Sequence, residues 1–235
     1  MKAVLLAAGL GTRLRPITND VPKCMVPVNG MPIIERQIKN LVENNVRDIY
    51  VVSGYKRDVL KSFLNEKYPF VHVIENDVYD TTNNMYSLFL TMRHVKGEEF
   101  LLMNSDVFHD ANIEEGLISS KEPNMVACEY GRYIEESMKI TVDTYSVITH
   151  ISKQITPDEA YATSIDVYKI GKEAGDVLFE MCIDIIEKQG NRNSWTEVAL
   201  DQIFSKIEFN PYKIKGRWFE IDNHEDLAAA EKLFG

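Results

Sequence analysis

The chain has 235 residues, 45% of them hydrophobic and 26% charged, enough for one substantial α/β core, and no stretch approaches the ~20 apolar residues of a membrane span. Its formal net charge of −10 excludes a general nucleic-acid binder, which would present a broad basic face. An anionic ligand must then be held locally, and the first 23 residues offer the means: Lys2, Arg13, Arg15 and Lys23 stand against one acid, Asp20.

In chain order, the apolar run over residues 4–8 predicts a buried first strand of a parallel sheet. Residues 9–28 form a long loop rich in Gly, Pro and charge, a length that points to function. Pro32 opens a helix with Ile34, Ile38, Leu41 and Val42 on one face. A strand over 48–54, a helix over 58–67, a strand over 71–74 and a helix over 84–93 follow, and then a strand over 100–103 that runs into Asn104, Ser105 and Asp106. Such alternation predicts a doubly wound α/β fold with ligands at the carboxyl ends of its strands.

The second half changes character. Strands are expected near 125–129, 139–142, 147–152 and 161–170, then helices over 172–188 and 196–205. A strand pair, 212–215 with 218–221, precedes a last helix over 225–233. With no linker or repeat in view, residues 1–235 read as a single domain with a mixed, mostly parallel sheet. Residues 1–110 form one half, and 111–235 a second that carries a small lobe.

Cys24, Cys128 and Cys182 form no C-x-x-C pair and suit the reduced thiols of a cytoplasmic protein. The apolar start stops at Gly9, too short and wrongly flanked for a signal peptide.

The chemistry concentrates in Leu6, Ala7, Ala8, Gly9, Gly11, Thr12 and Arg13, directly after the first strand. Glycines there let backbone N–H groups approach phosphate oxygens, while Arg13, Arg15 and Lys23 add positive charge. Leu14 stands where a dinucleotide fold needs its third glycine, and no G-K-[ST] ending makes a P-loop. Two acids end apolar strands, Asp106 and Asp222, and Glu220 lies two residues before the latter on the same strand face. Hard carboxylate oxygens of this kind suit Mg2+. Strand-end aspartates also serve as helix caps. His109 and His224 read as solvent-facing.

The loop Leu6–Leu14 together with Pro22-Lys23 resembles the signature of the sugar-phosphate nucleotidyltransferase superfamily, over the whole chain. The segment Asp80-Thr81-Thr82-Asn83-Asn84-Met85-Tyr86-Ser87-Leu88 is most similar to the short cytidylyltransferases acting on phosphocholine and related phosphometabolites. The resemblance implies transfer of CMP from CTP to a small phosphorylated metabolite, such as phosphoglutamine or phosphocholine, with release of pyrophosphate and use of Mg2+. It places Leu6, Ala7, Ala8 and Gly9 against base and ribose, and Gly11, Thr12 and Arg13 on the β/γ-phosphates. Lys23 would bridge the α-phosphate and the incoming phosphate, so Arg13 and Lys23 are the catalytic candidates. Asn83, Asn84 and Ser87 would meet the base, and Ser105 lies beside Asp106. Asp106 and Asp222 would share the metal with Glu220 as partner, although a Trp-x-acid pattern in sugar-specific relatives would select Glu220 instead. The residues alone leave open UTP or GTP with a sugar 1-phosphate acceptor, and, as a reading of another class, a catalytically inactive nucleotide-binding regulatory subunit.

For the acceptor head, Glu129, Arg132, Lys139, Asp166, Trp195 and Glu197 are the candidates. A choline head would want an aromatic box, whereas an amino-acid or amide head would want both signs of charge. Arg132, Lys139 and Glu197 favour the second. Expected partners are CTP and the acceptor, with no nucleic acid and no membrane; a homodimer is left open.

Overall fold

The computed structural model describes residues 1–131, 133 and 136–235, so the Arg132 proposed above lies outside the described residues. Strand β1 (Lys2–Ala7) leads through three short 3-10 turns to the strand pair β2 (Pro27–Val28) and β3 (Met31–Pro32). Helix α1 (Ile33–Glu43) follows, one residue later than Pro32 suggested. Then come β4 (Ile49–Ser53), α2 (Arg57–Lys67), β5 (His72–Glu75), α3 (Asn84–Leu90), α4 (Met92–Val95) and β6 (Phe100–Asn104). The expected helix over 84–93 is thus two, parted at Thr91, whose hydroxyl donates to the Leu88 carbonyl at 2.7 Å.

The second half holds β7 (Val107–His109), α5 (Asn112–Ser119), β8 (Met125–Glu129), β9 (Lys139–Val142), β10 (Ile148–Ser152) and β11 (Ala162–Ile170). It closes with α6 (Lys172–Ile183), which runs on into a π-helical turn, α7 (Thr196–Ile203), β12 (Asn210–Lys213), β13 (Trp218–Glu220) and α8 (His224–Phe234). No helix among the described residues is long and apolar enough to cross a membrane. The three cysteines are buried and free.

The large sheet runs β10-β9-β11-β6-β1-β4-β5, with β8 beside β11 and β12 beside β8. Strands β6, β1, β4 and β5 are parallel, and β11 joins β6 antiparallel. Alternation along β1 divides the core. Val4 and Leu6 pack in one layer with Phe100, Leu102 and α6, while Ala3, Leu5 and Ala7 pack in the other with Ile34, Ile38 and Val51. A third cluster lies beneath the long loop, where Leu14 and Val26 meet Phe108, Ile221 and Leu227. Burying a side chain like Leu14 stabilises by about 1.5–3 kcal/mol, so the loop is anchored between its glycines and its lysine.

One expectation fails here. The segments near 212–215 and 218–221 do not pair with each other: β12 runs parallel to β8, and β13 pairs antiparallel with β7. Gly216, at φ 119, turns the chain between two different sheets. The β7–β13 ladder has a functional result, because it brings the carboxyl end of β13 to the carboxyl end of β6.

Candidate active site

Register sets the site. Leu6 of β1 lies opposite Asn104 of β6, so the glycine loop and the Asn104–Val107 turn leave the sheet side by side. Gly11 adopts φ +60, and a Cβ there would come within 2.8 Å of the Lys23 Cβ. Only glycine lets the loop fold this closely on its own lysine. Thr18 holds the fold by donating its hydroxyl to the Gly11 carbonyl at 2.7 Å, and Tyr55 donates to the Thr18 carbonyl at 3.0 Å.

Lys23 then reaches both strand ends. Its Nζ lies 2.7 Å from Asp106 Oδ2 and 2.5 Å from Asp222 Oδ1, while Arg13 meets Asp222 Oδ2 at 2.7 Å. Burial disfavours the Lys23 ammonium, but Asp106 and Asp222 outweigh it and raise the pKa above that of an ordinary lysine. Burial likewise disfavours the Asp222 carboxylate, yet Lys23 and Arg13 hold it below the usual range. Asp222 is not spent on helix capping: Asn223 caps α8, with Asp226 completing the capping box.

Among the described residues, one group could hold a metal ion: Asp106, Glu220 and Asp222 offer oxygens within 4.8 Å of one another. Asp106 Oδ1 is buried without a hydrogen-bond partner, and burial together with Asp106, Asp166 and Asp222 pushes Glu220 up to about 8. Crowded hard oxygens with an orphaned acceptor fit a divalent cation such as Mg2+. Lys23 and Arg13 neutralise part of that crowding.

These groups line a cavity of about 420 Å³. The lining includes Leu6, Ala8, Asn76, Tyr79, Thr82 and Ser87. Asn83 caps α3 with its side chain and also lines the cavity, as does Asn84, whose Oδ1 accepts from the Thr196 N–H at 2.8 Å. Asn76 donates to Thr82 Oγ1 at 3.1 Å and to Ser87 Oγ at 3.2 Å, which fixes the pocket floor. Asn76 and Tyr79 escaped the sequence reading. Asn76 sits just past β5, the same strand-end position that exposed Asp106.

The lining also includes Met138, Lys153, Asp166, Trp195, Glu197 and Glu220. A register shift in β11 between Ser164 and Tyr168 puts Asp166 at φ +58 and turns its carboxylate into the cavity. The Tyr168 hydroxyl lies 3.0 Å from Asp166 Oδ1 and 3.0 Å from Glu197 Oε1. A hydroxyl has one hydrogen for these two acids, so a proton is readily held among them. Burial, with Glu197 and Asp106 nearby, accordingly raises Asp166 to about 7.

Several candidates lie elsewhere. The Ala7 side chain packs into the opposite core layer with Cys24. Ser105 is buried outside the cavity lining, and its N–H donates to the Leu6 carbonyl at 3.2 Å, a structural tie. Glu129 lines a different depression beside Arg217. Lys139 is 1% exposed with Nζ donating to the Ser137 carbonyl at 2.9 Å, because its strand position faces inward. Lys153, from the turn after β10, brings a cation to the lining instead, 5.1 Å from the Trp195 ring. His109 is fully buried beside Glu114 and Asn40, against the solvent-facing expectation, while His224 is exposed.

A glycine and cation loop facing paired acids at the strand ends of a mostly parallel sheet defines an α/β nucleotide-handling protein. The chain matches the nucleotidyl transferase family over residues 2–137, more than half its length, and belongs to that family. It is 27% identical over 248 residues to a CTP:phosphoglutamine cytidylyltransferase of Campylobacter jejuni, covering 97% of this chain and 98% of that one. A choline-phosphate cytidylyltransferase of Streptococcus pneumoniae is 50% identical over 90 residues, 38% of each chain. Among solved structures, the CTP:phosphocholine cytidylyltransferase of Streptococcus pneumoniae superposes with a TM-score of 0.80 over 100% of this chain and 99% of that one, a likeness of fold at 24% identity.

Proposed function

We propose that this chain transfers CMP from CTP to a small phosphorylated metabolite and releases pyrophosphate. The observation that carries the reading is Lys23, folded by the glycine loop onto Asp106 and Asp222 with Arg13 beside it. The cytidylyltransferase names of two relatives support CTP as donor.

In this reading the Gly9–Arg13 loop receives the triphosphate through backbone N–H groups and the Arg13 guanidinium. The base enters the pocket of Asn83, Asn84 and Ser87, where amides offer both donors and acceptors. Asp106 and Asp222, with Glu220 beside them, would hold Mg2+, whose chemistry when bound is to neutralise charge on the phosphates. An acceptor phosphate is nucleophilic at neutral pH and needs no general base. It attacks the α-phosphorus in line, and the chain contributes positioning and cationic charge. Lys23 leaves its carboxylate partners for the phosphates, holding donor and acceptor together while charge develops between them.

Residues 111–235 supply the acceptor end and residues 1–110 the nucleotide end. Asp166, Glu197 and Lys153 place both signs of charge there and favour a head group bearing nitrogen, with an amino-acid or amide head fitting all three. The three free cysteines and the nucleotide donor suit the cytoplasm.

Four nucleoside triphosphates assayed against phosphoglutamine, phosphocholine and sugar 1-phosphates, by pyrophosphate release with and without Mg2+, test the reading. CTP should give the highest kcat/KM with an amino or amide phosphometabolite. A preference for UTP with a sugar 1-phosphate would refute the donor and the acceptor alike.

A further inference from the structure

Behind the carboxylates lies a residue that none of this uses. Gln37 of α1 is 0% exposed, among apolar neighbours on the core face of the helix. Its Nε2 donates to the Asn104 carbonyl at 2.9 Å and to the Val107 carbonyl at 3.0 Å. The amide has two N–H groups, and these two carbonyls, one on each side of Asp106, take one each. The same turn offers the Asp106 carbonyl to the Ile221 N–H at 2.9 Å, next to Asp222. The backbone carrying one acid is therefore clipped to the backbone carrying the other, and Gln37 closes the clip from behind.

The orientation of the amide is dictated. Turned over, Oε1 would face two carbonyl oxygens; as it stands, Oε1 is buried without a partner. A buried unsatisfied acceptor costs about 1–3 kcal/mol, and an apolar side chain of the same size would avoid that cost only by taking the Gln37 donors from the two carbonyls. Just past the helix, its C-cap Asn44 donates to the Ala111 carbonyl at 3.0 Å, so the end of α1 also holds the chain beyond β7, at a point remote from the carboxylates.

We propose that Gln37 is a positioning residue: by spanning the Asn104 and Val107 carbonyls it holds Asp106 where Asp106 and Asp222 can share a divalent cation. The inference rests on the metal reading of Asp106, and the test separates the two. Binding of Mn2+ alone, in place of Mg2+, is measured by electron paramagnetic resonance on the nucleotide-free protein. Asp106→Asn, Gln37→Met and Asn44→Ala are compared with wild type.

Gln37→Met, of similar volume but without donors, should weaken Mn2+ binding about tenfold, the scale on which groups behind a metal ligand act. It should also raise the Mg2+ concentration needed for half-maximal rate, with the KM for nucleotide at saturating Mg2+ little changed. Asn44→Ala should stay within about twofold of wild type, since a loss of general rigidity is not a loss of this clip. Wild-type Mn2+ affinity in Gln37→Met, with Asp106→Asn impaired, overturns the inference and leaves the metal reading standing. Unchanged binding in Asp106→Asn overturns both. Should Gln37→Met not fold, Mg2+ titration of wild type by NMR decides: the Gln37 side-chain amide signals should move and those of Asn44 should not. A stationary Gln37 amide beside a moving Asp106 backbone signal is the contrary result.

Discussion

Replacing Lys23 by alanine removes one ammonium from between two carboxylates, at 2.7 Å from Asp106 and 2.5 Å from Asp222. At an effective dielectric of about 20, each such contact represents roughly 6 kcal/mol of gross attraction, against which the burial of the ammonium works. Only the part that grows between ground and transition states appears in kcat, and removing one preorganised charge costs on the order of 100-fold, or about 2.7 kcal/mol. The structure adds a second expectation. Without the lysine, Asp106, Glu220 and Asp222 lose a neutralising partner while their oxygens remain within 4.8 Å of one another, so Mn2+ binding in the absence of nucleotide should hold or tighten. Steady-state pyrophosphate release gives the first quantity and Mn2+ titration the second. A drop in kcat below about threefold would refute the role assigned to Lys23. A variant that loses both turnover and Mn2+ affinity would show that the lysine builds the carboxylate site instead of serving the phosphates.

Other outcomes follow from local geometry. Gly11→Ala should lower Tm and cut kcat/KM at least about tenfold, because the new Cβ meets the Lys23 Cβ at 2.8 Å and the φ of +60 is strained for alanine; unchanged kinetics would contradict the packing of loop on lysine. Burial would raise Asp110, but hydrogen bonds from Arg217 outweigh it and hold its pKa below the ordinary 3.8. A depressed carboxylate stabilises above the unfolded pKa and loses that contribution as pH falls through the folded one. Asp110→Asn should therefore cost about 1–2 kcal/mol in urea denaturation at pH 7, with the difference from wild type shrinking below about pH 4; a difference constant with pH would argue against the ion pair. Phe100→Ala empties a fully buried position against Phe179 and should cost about 3–5 kcal/mol of stability, read as a lower urea midpoint; a loss under about 1 kcal/mol would mean the layer repacks freely.

The parallel half was legible because β1, β4 and β6 are buried on both faces and appear as unbroken apolar runs between turn residues. The carboxylate pair was legible for a related reason, because Asp106 and Asp222 follow such runs, whereas Lys23 lies on a turn of the long loop and is marked only by the resemblance of Pro22-Lys23. The rest depends on partners distant in the chain. Strand β7 has three residues and takes its ladder from β13, more than a hundred residues later, so no local pattern marks it. Glu129 and Lys139 stand out in the sequence by charge alone, and charge on a strand says nothing about face until register is known. The shift in β11 that turns Asp166 into the cavity, and the turn that delivers Lys153, are likewise properties of pairing. His109 is buried because Asn40 and Glu114 surround it, a fact written in two helices and not in its own surroundings.

The central claim is that the loop and the facing acids together receive a metal-bound nucleoside triphosphate. A crystal structure of the chain with Mn2+ and a non-hydrolysable CTP analogue, with anomalous scattering to locate the ion, tests it most directly. The triphosphate should lie along Gly9–Arg13, with Lys23 Nζ turned from Asp222 towards the α-phosphate and the ion bound directly to Asp106 and Asp222 oxygens. Triphosphate density elsewhere, or an ion bound without these carboxylates, would contradict it.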